Sequence, residues 1–287
     1  MRSPKTATRA SCSSSSPSFH PASVHTTRPG RIQFRPRGIA MTENVTWELQ
    51  GRAAVVTIRL PQVRNALGPR EAALLGRTIS AAAAHPDALG VVLTGQGAFC
   101  AGGDLPAIVE ATEGRDAAGV SEFVYRDFQS MVRALRECPI PTVAAVDGAA
   151  IGLGLDLALW CDARFLGPKA KLAQGWATLG LIPGTGGAKV LQELLPGALW
   201  HLLGQRPINA DQAATLGVGV RSDDALAAAV DLIEGWGPVG RPALEGYAAL
   251  SRNHLPDDTY LQECARIQGE RLTSESFAKT AQAILAR

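Results

Sequence analysis

The sequence predicts an α/β fold. Short β-branched apolar runs end in glycine-bearing turns, the stretches between them place apolar residues at helical spacing, and no strand signal remains after about Arg241. Strands that alternate with helices in this way build a mixed core.

The elements follow in order. Val45–Leu49 and Ala53–Leu60 read as two strands around Gln50-Gly51, with Val55, Val56 and Ile58 supplying β-branched density. Pro69 opens a helix to about Ala84, whose Ala72, Leu75 and Ile79 share one buried face. Val91–Thr94 is a short buried strand that ends in the Gly95–Gly97 turn. Ser121–Glu137 is helical, with Phe123, Phe128, Met131, Val132 and Leu135 as its apolar stripe. Thr142–Val146 is another buried strand, followed by Gly148 and a helix from near Gly152; Cys161–Leu166 returns to strand. Residues 242–250, 257–269 and 274–286 read as helices. This tail is too short to fold alone and is expected to pack on a neighbouring part of the protein or on another subunit. The organisation is therefore an extension over 1–40, a core over 41–240 and a helical region over 241–287.

Residues 1–40 hold seven Lys/Arg and no Asp or Glu, with serines from Ser11 and prolines at 17, 21, 29 and 36. Such a segment cannot bury enough apolar surface to offset its ordering entropy. Its composition resembles an organelle transit peptide. A start codon assigned too far upstream, with Met41 the true first residue, explains it as well, and the GC-rich bias of the body favours that reading. The expected location is cytoplasmic, or an organelle matrix if the extension is a real transit peptide.

The remaining residues carry 21 basic against 26 acidic side chains, a net of −5, which gives no electrostatic case for nucleic acid. No apolar run reaches the length of about eighteen residues that a membrane span needs. Cys12, Cys100, Cys138, Cys161 and Cys264 are scattered without CxxC, and the five histidines do not pair as HxxxH, so neither a disulfide framework nor a zinc site is expected.

Two glycine-bearing segments follow strands: Ala98-Phe99-Cys100-Ala101-Gly102-Gly103-Asp104-Leu105, and Val146-Asp147-Gly148-Ala149-Ala150-Ile151-Gly152-Leu153-Gly154-Leu155-Asp156. Each alone could be an ordinary βα turn. Neither has the spacing of a dinucleotide fingerprint, and Gly184-Thr185-Gly186-Gly187-Ala188-Lys189 lacks the Gly-Lys of a P-loop.

As a pair, the segments resemble the signature of the crotonase (enoyl-CoA hydratase/isomerase) superfamily. Leu60-Pro61-Gln62-Val63-Arg64-Asn65-Ala66-Leu67, Pro141–Gly148, Cys161-Asp162 and Gly180-Leu181-Ile182-Pro183-Gly184 match that family's motifs in the expected order. The resemblance covers about Val45 to Gly219 closely and the helical tail loosely. It implies a spiral of ββα units, a C-terminal helical region used in trimerisation, a homotrimer or hexamer, and an acyl-CoA thioester as substrate. No cofactor is implied, because coenzyme A is part of the substrate. It further places one oxyanion-hole donor on each segment, the backbone N–H groups of Gly103 and Leu153, and makes Arg64 the candidate for the CoA phosphates, with a solvated surface arginine as the alternative. Ala101 is a further substrate-binding candidate, and Trp176 reads as an apolar wall beside the acyl group or as an ordinary core tryptophan. Leu153 starts a helix, where N–H groups lack internal acceptors and the dipole favours negative charge. Two fixed donors on a thioester oxygen lower the barrier to an enolate.

In hydratases of that family two glutamates face the substrate. The resemblance puts the first on Asp156, one helical turn beyond Leu153, and the second on Trp176, which cannot exchange a proton at neutral pH. Gly184 stands where some branches carry a substitute Asp. Hydration wants one group for the water and another for the α-proton, whereas moving a double bond needs one base that removes a proton and returns it farther along. Asp156 as a lone shuttle favours isomerisation over hydration. Thioester hydrolysis, decarboxylation, C–C bond cleavage, or a non-catalytic acyl-CoA-binding role remain as alternatives. Cys100 reads as a packed thiol and Asp104 as a cap on the following turn.

Overall fold

The computed structural model describes residues 44–203 and 206–286. The extension assigned to residues 1–40 lies outside the described residues.

Among the described residues, nine strands form two sheets. They are β1 (Val45–Gln50), β2 (Ala53–Ile58), β3 (Gly90–Gly95), β4 (Thr142–Val146), β5 (Ala149–Ile151), β6 (Ala163–Leu166), β7 (Lys171–Ala173), β8 (Ile208–Asn209) and β9 (Val220–Arg221). The larger sheet has the order β1-β2-β3-β4-β6-β9, and the smaller has β5-β7-β8. β1 and β2 form an antiparallel hairpin, in which Val45 faces Ile58 and Gln50 faces Ala53. From β2 to β9 the larger sheet is parallel. Parallel neighbours need crossover connections, so both faces of this sheet are covered. β2 and β4 accordingly read as continuous apolar runs.

The two faces feed separate cores. One is the large core, where Leu75 and Ile79 of helix Pro69–Ala83, Met131 and Leu135 of helix Gln129–Arg136, and Leu155 to Trp160 of helix Leu153–Trp160 meet. The other lies beneath helix Ala225–Gly235, where Ala229 and Ile233 pack against Val55, Val92 and Val143. The stretch expected as one helix over Ser121–Glu137 begins earlier, at Ala117, and is interrupted by a wider π-type turn over Val124–Phe128. Such turns re-aim side chains within a helix.

The tail is helical, over Arg241–Ser251, Asp258–Leu272 and Glu275–Leu285. It packs on the core of its own chain. Arg241 donates to the carbonyls of Ala83, His85 and Ala88 at the end of the first long helix. Arg252, 7% exposed, binds the Asp162 carboxylate and the carbonyls of Cys138 and Ile140. A buried guanidinium with an ion pair and two carbonyl acceptors leaves little of its donor capacity unmet, which is the condition for tolerating its desolvation.

Candidate active site

The two glycine-bearing segments lie side by side. Cys100 N–H donates to the Ala149 carbonyl at 2.8 Å, and Ile151 N–H donates to the Cys100 carbonyl at 3.1 Å. Gly154 lies so close to the Cys100 carbonyl that a β-carbon there would overlap it, so glycine is needed for this approach. The first segment is held from its other side by the Leu60–Leu67 loop. Leu67 N–H donates to the Gly102 carbonyl, Asp104 N–H to the Leu67 carbonyl, and Ala101 N–H to the Arg64 carbonyl. Buried Asn65 locks that loop by accepting from Leu60 N–H at 2.7 Å and donating to the Ala98 carbonyl at 2.5 Å.

Among the described residues, neither the Gly103 nor the Leu153 N–H has an acceptor. Leu153 is the first residue of its helix, where an N–H has no internal partner. For Gly103 the cause is its register beside Leu67, in which Gly102 and Asp104 make the cross-strand bonds. Arg64 is exposed, in a left-handed conformation with φ 52°. Its main chain supports the Ala98–Leu105 segment through the Ala101 N–H, while its side chain faces solvent. Asp104 caps helix Leu105–Thr112, accepting from Ala107 N–H. Cys100 is a buried free thiol pushed up to about 12 by burial, the protonation state of a packed group and not of a nucleophile.

Gly103 and Trp176 line one small apolar cavity of about 30 Å³, with Ile108, Phe128, Thr185 and Gln268 among its walls. Val124 and Phe128 reach it from the two ends of the π-type turn. The half-buried Trp176 indole packs over the helix start, 3.7 Å from where a Gly152 β-carbon would stand.

Asp156 is not among the cavity walls. Its side chain is fully buried, on the same helix as Leu153, with Oδ2 accepting from the Thr185 hydroxyl at 2.6 Å. Among the described residues, its Oδ1 has no hydrogen-bond partner, and neither do the Gln174 amide atoms or Trp176 Nε1, all of them buried. Burial pushes the Asp156 carboxyl up to about 7; the Thr185 hydroxyl, then Gln174, Trp176 and the Gly187 N–H oppose this from nearby. Tyr260 and Cys264 also feel its charge, and burial raises them to about 12 and about 11, so both stay neutral while Asp156 titrates.

The loop that carries Thr185 is clamped. Trp160 Nε1 donates to the Thr185 carbonyl at 2.9 Å, and Gln129 Nε2 bridges the Gly184 and Leu261 carbonyls at 2.7 Å each. Gln268 accepts from Ile182 N–H. Gly187 then opens the next helix directly against the Asp156 carboxylate, where any β-carbon would overlap Oδ1. Sequence reasoning weighed Gly184 in this loop and missed Thr185 beside it, as it missed Gln174. The signal was a hydroxyl one residue beyond the position where a substitute acid was sought.

The enoyl-CoA hydratase/isomerase family model matches residues 48–236, spanning both segments, Asp156 and the Thr185 loop. The chain belongs to the enoyl-CoA hydratase/isomerase family. Its relatives in this family include the "Probable enoyl-CoA hydratase" of Mycobacterium tuberculosis, 36% identical over 201 residues that cover 69% of this chain and 77% of the relative. The protein of the same description from Rhodobacter capsulatus is 32% identical over 253 residues, covering 84% and 94%. A crystal structure of an enoyl-CoA hydratase/isomerase from Mycobacterium paratuberculosis superposes with a TM-score of 0.77 at 24% identity, covering 85% of this chain and all of the other. The crotonase architecture is thus that of the chain, from the β1–β2 hairpin into the helical tail. No helix among the described residues is long and apolar enough to cross a membrane, and no described cluster of His, Cys, Asp and Glu is arranged to hold a metal.

Proposed function

We propose that this hydratase/isomerase-family protein binds an enoyl-CoA thioester, holds its enolate oxygen between the N–H groups of Gly103 and Leu153, and moves the double bond with Asp156 as the single acid–base carboxylate. One observation carries the reading. Asp156 is the carboxylate buried next to the oxyanion segments, poised near pH 7, and the position of a second acid holds Trp176. A group half-ionised at neutral pH takes a proton and gives it back with similar ease, which a shuttle requires. Trp176 offers no such exchange and serves instead as an apolar wall for the acyl chain. The exposed Arg64 serves as the counter-charge for the CoA phosphates, and Ala101, two residues before Gly103, as a further substrate contact. The reaction needs no cofactor beyond the coenzyme A of the substrate, and the assembly that goes with this reading is a homotrimer or a pair of stacked trimers in the cytoplasm.

The test is turnover of 3-hexenoyl-CoA against hydration of crotonyl-CoA by the wild-type protein and Asp156→Asn. Wild type is expected to isomerise faster than it hydrates, and the variant to lose isomerisation while still binding CoA esters. Retained isomerisation in Asp156→Asn removes Asp156 from the chemistry. A second reading, hydration, is favoured by the names of the relatives; crotonyl-CoA hydration that exceeds isomerisation would establish it instead.

A further inference from the structure

We infer that the Thr185 hydroxyl is a catalytic group that carries the substrate proton between the cavity and Asp156; this rests on the reading of Asp156 as the acid–base residue. Three observations lead there. Thr185 lines the cavity that Gly103 and Trp176 share, whereas Asp156 does not. The Thr185 hydroxyl donates to Asp156 Oδ2 at 2.6 Å, the short distance typical of a hydroxyl bound to a carboxylate. The Thr185 backbone is fixed by Trp160 through its carbonyl, and the preceding Gly184 by Gln129, so the hydroxyl is held where it stands. An aspartate is one methylene shorter than the glutamate usual at this position, and the hydroxyl of a cavity-lining residue bonded to it supplies the lost reach.

The step balances without a further reactant. The C–H bond next to the thioester breaks, and its electron pair spreads into the enolate held by the Gly103 and Leu153 amides. The released proton bonds to Thr185 Oγ1 as the original hydroxyl proton passes to Asp156 Oδ2. In the return step Asp156 gives its proton back to Oγ1 while Oγ1 delivers one to the carbon at the far end of the dienolate. The double bond has moved, and both residues regain their starting states. The hydroxyl never exists as a free alkoxide, because each proton arrives as the other leaves. Thr185 is 2% exposed, so bulk water does not compete for this path.

The experiment measures kcat and KM for 3-hexenoyl-CoA across pH 5–9 in wild type, Thr185→Val, Thr185→Ala, Thr185→Ser and Asp156→Asn, with hexanoyl-CoA affinity and thermal melting as checks of the fold. For a relay, the Val and Ala variants lose about 100-fold or more in the high-pH plateau of kcat, the low end of what acid–base groups contribute. KM stays within about twofold, and Ser restores the plateau to within about fivefold. A hydroxyl that only orients Asp156 behaves differently: removing it raises the apparent pKa, and the plateau returns once the pH exceeds it. A plateau within about threefold of wild type in either hydroxyl-free variant, or no rescue by Ser, overturns the relay. If Asp156→Asn is inactive while Thr185→Val keeps its plateau, the relay alone fails; if Asp156→Asn stays active, the reading of Asp156 fails and the relay with it.

Discussion

Thr185 donates its hydroxyl to Asp156 Oδ2 at 2.6 Å, and of the two it is Thr185 that faces the cavity beside Gly103. The family motif therefore marks a carboxylate that lies behind a cavity-lining residue and is not itself a cavity wall. Its partner comes from a different part of the chain, on a loop tied down by Trp160, Gln129 and Gln268. Depth explains the raised pKa: burial disfavours the charged carboxylate, and the groups that oppose this among the described residues are neutral donors that offset it only in part.

That depth has a consequence for stability. The folded-state pKa of Asp156 lies above its ordinary value of 3.8, so the native protein holds this proton more tightly than the unfolded chain. The stability this gives is fully present below about pH 4 and is lost as the pH rises through about 7. Asp156→Asn cannot ionise and escapes the loss, and its amide oxygen still accepts from Thr185. The variant is expected to melt above wild type at pH 8, by roughly 2–4 °C for each kcal/mol relieved in a domain of this size. The gap should close progressively toward pH 5. Calorimetric melting at the two pH values checks this, and a gap independent of pH would show that burial is not what raises the group.

Gly187 gives a second test of the same geometry. A β-carbon there would overlap the Oδ1 of the fully buried Asp156 carboxylate, so the carboxylate has to shift within a packed interior. Gly187→Ala is expected to destabilise the protein by about 1–3 kcal/mol, the usual cost of overpacking. Turnover should fall by at least tenfold because the carboxylate must turn away from Thr185. Denaturant midpoints and 3-hexenoyl-CoA assays measure both.

Much of this arrangement was legible in the sequence, and the rest was not for local reasons. The hairpin, β3, β4 and the helix from Pro69 carry strong periodicity, and the structure has them within two residues of the expected bounds. β5, β7, β8 and β9 are two or three residues long, too short for a period to register, and tertiary pairing forms them. The π-type turn has Val124 and Phe128 at its two ends, both lining the cavity, an arrangement that helical spacing in the sequence does not encode. Gly103, Leu153 and Asp156 are singled out by the resemblance of the paired glycine-bearing segments to the family's motifs, since neither segment alone differs from an ordinary βα turn. Thr185 was not, since its meaning depends on contact with a residue 29 positions away.

The Leu153 amide can be removed without rebuilding the helix. Leu153 is the first helical residue, where proline is well tolerated because the N–H makes no helical hydrogen bond. Leu153→Pro therefore deletes one proposed oxyanion donor, while Leu153→Ala keeps the donor and removes the same buried side chain. Proline is expected to lower kcat by about 100- to 1,000-fold relative to alanine, the loss seen when one such donor is removed. Equal activities in the two variants would take the Leu153 amide out of the mechanism.

Trp176→Glu asks whether the missing second acid is what sets the reaction type. The indole packs over Gly152, and its buried Nε1 has no hydrogen-bond partner among the described residues, so the substitution chiefly sacrifices packing and the indole's influence on Asp156. A glutamate there would face the same cavity as Gly103 and supply the second group that hydration needs, one to orient water while the other manages the α-proton. It would also place a like charge near Asp156, which pushes at least one of the two carboxyls further up. Crotonyl-CoA hydration is expected to rise at least tenfold over wild type while 3-hexenoyl-CoA isomerisation falls, and the pH profile should become bell-shaped, because one acid must be charged as the other stays protonated. Unchanged hydration in a folded, CoA-binding variant would mean that Trp176 does not occupy the position from which water is activated, and the choice between isomerisation and hydration would then lie with Asp156 and Thr185 alone.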